Sequence, residues 1–224
     1  MNSIPVTIID DFLDNPYAVQ KWALSLNYKP SPNVGWPGKR TPLISNLNNV
    51  FSRYIDEKIL SLFYYPIPKK YDSVGNFQIK DNFKGQGWVH QDPSTITSIL
   101  YLSESENNEN TGTSFFKLKK ERYSTIQTNE EVSLWRLRKK HYTENSLSNE
   151  ELEEKTKYEN QIFEKTLSIP SRFNRLICFD GACFHAGNGG SKIINNRLTL
   201  TNFFADIESP LHPPILRSKG ILSN

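Results

Sequence analysis

Arg197-Leu198-Thr199-Leu200-Thr201-Asn202-Phe203-Phe204 alternates in side-chain character over its first six residues. A period of two marks a strand, so Leu198, Leu200 and Asn202 point one way and Arg197, Thr199 and Thr201 the other. If the second set faces inward, a guanidinium and a hydroxyl are buried side by side. If it faces outward, the segment is a solvated edge strand. A buried guanidinium needs an anion, and a carboxylate matches its planar fork.

Upstream of this segment, strand-like stretches recur at 175–180 and 183–186, at 113–118, at 95–102, at 88–92 and at 74–80, with a turn at Gly85 and Gly87. Residues 103–111 are polar and acidic and read as a loop. Between 119 and about 166 the strand rhythm breaks. A basic cluster of Arg136, Arg138, Lys139 and Lys140 precedes an acidic stretch. Ser148 with Glu151 forms a capping box, which predicts a helix to about residue 165. This stretch reads as an insert or lid, or else as a solvated helix without function.

The front of the chain has a different texture. Residues 6–10 read as a short strand. Asn15-Pro16 reads as a helix start, with Asn15 as cap and Pro16 in the first turn. Val19, Trp22, Ala23 and Leu26 follow on one helix face. Residues 30–42 read as an ordered loop. A second helix is predicted over about 47–63, with Leu47, Val50, Phe51, Tyr54 and Ile55 as its apolar face. Helices at the front and strands behind predict a β-sandwich or barrel with helical support.

The 224 residues suit one domain with a sizeable core, and 13 Phe, 10 Tyr and 4 Trp supply apolar bulk that a disordered chain lacks. A net charge of +3 is too small to imply a nucleic-acid partner. No apolar run reaches membrane-spanning length, and no signal peptide is evident at the N-terminus. Cys178 and Cys183 lie too close along one strand-like stretch to favour a disulfide, which fits a reducing, cytoplasmic setting.

His90-Gln91-Asp92 places an imidazole and a carboxylate on one strand face. His185, at the end of a later strand-like segment, supplies a third ligand. Two His and one carboxylate form a facial triad that leaves iron(II) positions open for a co-substrate and oxygen. An H-x-D alone is a weak signal, but the chain has four His and two of them fall where the triad needs them. The other two, His141 and His212, read as surface residues. Gln78 and Lys80 share one strand face and could reach a co-substrate or be solvated, the solvated reading being preferred, and Trp88 could wall a pocket or fill the core.

From about residue 74 to 205 the sequence resembles the prolyl-4-hydroxylase-like branch of the iron(II)/2-oxoglutarate-dependent oxygenases. The matching pieces are Trp88-Val89-His90-Gln91-Asp92, Ile99-Leu100-Tyr101-Leu102, Gly112-Thr113-Ser114-Phe115-Phe116, Asn174-Arg175-Leu176-Ile177-Cys178-Phe179, Phe184-His185-Ala186-Gly187 and Arg197-Leu198-Thr199-Leu200-Thr201. The resemblance implies a double-stranded β-helix, a mainly β jelly-roll core with N-terminal supporting helices. It implies iron(II) on His90, Asp92 and His185, and the distal carboxylate of 2-oxoglutarate on Arg197 with help from Thr199 and Tyr101. The implied reaction is hydroxylation by O2, with succinate and CO2 as co-products. Halogenating relatives lack the carboxylate ligand, so Asp92 favours hydroxylation. The resemblance leaves the substrate open between a protein side chain, an amino acid and a small polar metabolite.

The expected layout is one oxygenase domain over 1–224, with helical support in 1–70, a jelly-roll core in 71–205, an insert at 119–166 and a Pro-rich tail in 206–224. The alternatives are a cupin-type metal protein without 2-oxoglutarate, and a non-catalytic binding module.

Overall fold

The computed structural model describes residues 6–30, 38–80, 85–104, 111–119, 148–189 and 197–210. Two antiparallel sheets face each other. The larger orders its strands β1 (Val6–Ile9), β9 (Arg175–Phe179), β6 (Ile96–Tyr101), β11 (Arg197–Ala205), β4 (Asp72–Lys80), β3 (Lys39–Arg40) and β2 (Lys29–Pro30). The smaller runs β5 (Gly85–Gln86), β10 (His185–Gly189), β7 (Thr113–Leu118) and β8 (Phe163–Ile169). The predicted mainly β architecture with a few helices is the one observed.

The helices cover the outer face of the large sheet. α1 (Pro16–Leu24) starts where Asn15 accepts a hydrogen bond from the Ala18 N–H, as the cap predicts. Its Val19, Trp22 and Ala23 join a core with Ile55, Ile59 and Leu60 of α3 (Asn49–Leu60) and with Phe77, Leu100, Leu198, Leu200 and Phe204 of the sheet. Leu198 and Leu200 therefore point to the helices, and the opposite face of β11 looks into the sandwich. There Tyr101, Phe115, Ile177, Phe179 and Cys183 pack together.

Several local expectations are corrected. The helix predicted over 47–63 is two, α2 (Ile44–Leu47) and α3, because Asn48 turns extended and caps α3 through the Phe51 N–H. Of its predicted apolar face, Leu47, Val50 and Tyr54 lie exposed, Val50 at 82%. The buried stripe is Ser52, Ile55, Asp56 and Ile59, with Asp56 tolerated inside because Ser73 and Asn202 donate to it. Residues 30–42, read as a loop, contribute β2 and β3 to the sheet edge.

The helix predicted to reach about residue 165 begins on the expected capping box but ends early, as α4 (Asn149–Asn160). β8 follows and pairs with β7. Only Phe163 and Ile169 of β8 are buried, so its polar middle hid the strand period. Cys178 and Cys183 are both buried and unbridged, with a turn between them. Arg136, Arg138, Lys139, Lys140, His141 and His212 lie outside the described residues. No helix among the described residues is long and apolar enough to cross a membrane.

Candidate metal centre

Residues 88–92 were expected to be strand, but only His90 pairs, through an isolated bridge to His185. That bridge, closed by N–H to O bonds of 3.0 and 2.9 Å, sets the two imidazoles side by side with ring centroids 4.3 Å apart. Asp92 is anchored separately, its N–H donating to the Gly181 carbonyl at 2.7 Å. Gly181 has to be glycine, since a Cβ there would collide with the Ser94 carbonyl.

Ligand atoms of His90, Asp92 and His185 all lie within 4.8 Å of one another, a convergence found once among the described residues. His185 Nε2 is 3.2 Å from Asp92 Oδ2, and His90 Nε2 is 3.6 Å from Asp92 Oδ1. The His90 Nδ1 faces the Trp88 carbonyl and the His185 Nδ1 faces the Cys183 carbonyl, each at 2.9 Å. A carbonyl only accepts, so both Nδ1 carry a proton and both Nε2 atoms face the carboxylate. Thr97 donates to Asp92 Oδ2 at 2.9 Å, whereas the buried Oδ1 has no hydrogen-bond partner.

Burial alone would raise the Asp92 carboxyl. The charge and hydrogen bond of His185, then His90 and Thr97, outweigh it and hold the group down to about 2. A buried ionised carboxylate with an unsatisfied oxygen, beside two oriented Nε2 atoms that become lone-pair donors once they give up their protons, is a donor set that fits a divalent cation. Phe179 lies against the His185 ring at 4.6 Å, and Trp88 stacks on His90 at 5.9 Å and 20°.

Arg197 lies further along the same interior. Its Nη1 donates to the Gly112 and Asn188 carbonyls at 3.1 and 3.2 Å, and its guanidinium sits 5.2 Å over the Tyr101 ring. Tyr101 is buried and its hydroxyl pairs with Thr113 at 2.8 Å. Thr199 is buried opposite Tyr101. A Cβ at Gly187 would lie 3.2 Å from Arg197 Nη1, so this glycine leaves the guanidinium its room. Gly187 is two residues from His185 on β10, which puts the Arg end about 7 Å along the strand from the triad.

Two further cations lie nearby. Lys80 pairs with Arg197 in register, and its Nζ lies 3.9 Å from the same Gly187 Cβ position. Both Lys80 and Gln78 are half-buried beside Arg197 and Thr199, which corrects their reading as solvated. Arg40, opposite Gln78 on β3, is close enough to Asp92 to feel its charge, although burial lowers its pKa overall. Its two-residue strand carries no period that a sequence reading could catch.

The model of a family of unknown function, DUF6445, matches residues 1–204. The chain belongs to the DUF6445 family. No curated protein matches it. Solved structures similar to this DUF6445 chain include HygX from Streptomyces hygroscopicus with nickel and 2-oxoglutarate bound, at 11% identity and a TM-score of 0.52, covering 93% of this chain and 86% of HygX. The non-heme alpha-ketoglutarate-dependent epimerase SnoN from nogalamycin biosynthesis is similar at 10% identity and a TM-score of 0.54, covering 96% and 92%. A prolyl 4-hydroxylase from Phytophthora capsici is similar at 12% identity and a TM-score of 0.51, covering 94% of this chain and 61% of its own. At such identities the likeness is one of fold. The DUF6445 chain has the double-stranded β-helix of the iron/2-oxoglutarate oxygenases.

Proposed function

We propose that this DUF6445 chain is an iron(II)- and 2-oxoglutarate-dependent dioxygenase, a hydroxylase of the prolyl-4-hydroxylase-like branch acting as a single domain in the cytoplasm. The observation that carries this reading is the buried Asp92 carboxylate, its Oδ1 without a hydrogen-bond partner, set beside two imidazoles whose Nδ1 atoms are already committed to carbonyls. His90, Asp92 and His185 would hold iron(II), and Arg197, Tyr101 and Thr199 the distal carboxylate of 2-oxoglutarate. Bound iron(II) supplies O2 activation, with 2-oxoglutarate as the two-electron reductant and succinate and CO2 as co-products.

The protein's own part is placement. The Trp88 and Cys183 carbonyls orient the two rings, Thr97 holds the carboxylate oxygen beside His185 and leaves the one beside His90 without a hydrogen bond, and Phe115 and Phe179 keep water from the His185 side. Arg197 offers a charge-assisted fork one short strand step away, an interval a five-carbon diacid spans. HygX has been crystallised with hygromycin B, and the Phytophthora relative is a prolyl hydroxylase, which keeps both small polar metabolites and protein or amino-acid side chains as substrate classes. The test is succinate release from 2-oxoglutarate by the iron-loaded chain without added substrate. Slow uncoupled turnover is expected in the wild type and background rate in His185→Ala; equal rates in both would contradict the reading.

A further inference from the structure

The Trp88–Val89 peptide is a rigid plane, and both of its polar atoms are engaged. Its carbonyl faces His90 Nδ1 at 2.9 Å, and its N–H donates to Asn160 Oδ1 at 3.1 Å. Asn160 Nδ2 donates in turn to the Gly87 carbonyl at 2.9 Å. The two ends of the amide are thereby assigned, since one contact requires an acceptor and the other a donor. Asn160 thus pairs with residues 87–89 as a neighbouring strand would, along a stretch whose one bridge is at His90. It is the last residue of α4, a helix that carries none of the triad.

We propose that Asn160 is a positioning residue of the metal centre. By holding the Val89 N–H it fixes the peptide plane whose carbonyl orients the His90 imidazole, and it ties α4 to the arm carrying His90 and Asp92. The inference rests on reading the triad as a metal site. Partners one step behind a metal ligand commonly set affinity by about 10–100-fold. Asn160 acts through one intervening peptide, which places its effect at the lower end.

Cobalt(II), titrated alone into the full-length apoprotein and followed by its visible d–d absorption, is the probe, with urea unfolding of the same samples. Asn160→Ala is expected to bind cobalt about 10-fold more weakly, with an altered d–d spectrum. Asn160→Asp keeps an acceptor for the Val89 N–H and is expected to recover most of that loss. Asn174→Gly is the stability control. It removes a similar two-bond clamp, on the Leu13 N–H and carbonyl, at a left-handed position that glycine accepts. It is expected to lower stability while leaving cobalt affinity within about twofold.

Wild-type affinity in Asn160→Ala would overturn the proposal. So would equal cobalt losses in Asn160→Ala and Asn174→Gly, or a loss in Asn160→Asp as large as in Asn160→Ala. A wild-type chain that binds no cobalt would instead overturn the metal site itself.

Discussion

Thr97 and the carbonyls of Trp88 and Cys183 decide what His90, Asp92 and His185 can do, because they fix which atoms face inward. The sequence pattern H-x-D with a later His named the three residues whose side chains converge. It could not name their supports, since two are backbone atoms and the third is one Thr among many. Arg197 was legible for a different reason. Strict alternation in β11 left two facings, and Leu198 and Leu200 in the helix-side core select the inward one. Lys80 lay beyond the same logic, because a long flexible stem can carry its charge inward or to solvent. Removing the guanidinium should therefore cost a specific contact. Arg197→Ala is expected to bind 2-oxoglutarate on the order of a hundredfold more weakly. Binding of 2-oxovalerate, which lacks the distal carboxylate, should not change. Equal losses for both acids, read by competitive calorimetry on the metal-loaded protein, would remove Arg197 from that role.

At the scale of elements, α3 shows where reading apolar period alone fails. Val50 and Tyr54 keep the spacing yet face solvent, while Asp56 is buried because β4 and β11 offer it partners. Tertiary hydrogen bonds are invisible in a local pattern, so of the predicted face only Phe51 and Ile55 pack into the core. The same cluster sets a pH dependence. Burial raises the Asp56 carboxyl to about 6, against the pull of Ser73 and Asn202. A folded-state value above the unfolded one means the native state holds the proton more tightly. This stabilisation is full below about 4 and is lost as pH rises through about 6. Allowing for residual solvent screening, it amounts to ~1–2 kcal/mol. Urea unfolding of the apoprotein at pH 4.5 and pH 7 should show that fall in the wild type and a flatter profile in Asp56→Asn. Identical profiles would mean the carboxyl titrates normally.

For the molecule as a whole, the two sheets divide the labour. The large sheet carries Arg197, Thr199 and Tyr101 on its inner face, the small sheet carries His185, and the stretch before β6 brings His90 and Asp92 between them. The order and length of most strands were legible because each buried strand declares its period. β2, β3, β5 and β8 were missed because three have two residues each and the fourth is polar along its middle. The helix after Ser148 was legible at its start, where the capping box is a local signal, and not at its end. What joins these pieces is one claim, that the interior holds iron(II) and 2-oxoglutarate together.

Anaerobic titration of the apoprotein with iron(II) and 2-oxoglutarate, followed by visible absorption, tests that claim most directly. A metal-to-ligand charge-transfer band should appear in the wild type, weaken in Arg197→Ala and vanish in Asp92→Ala. Folded wild-type protein that gives no band would contradict it.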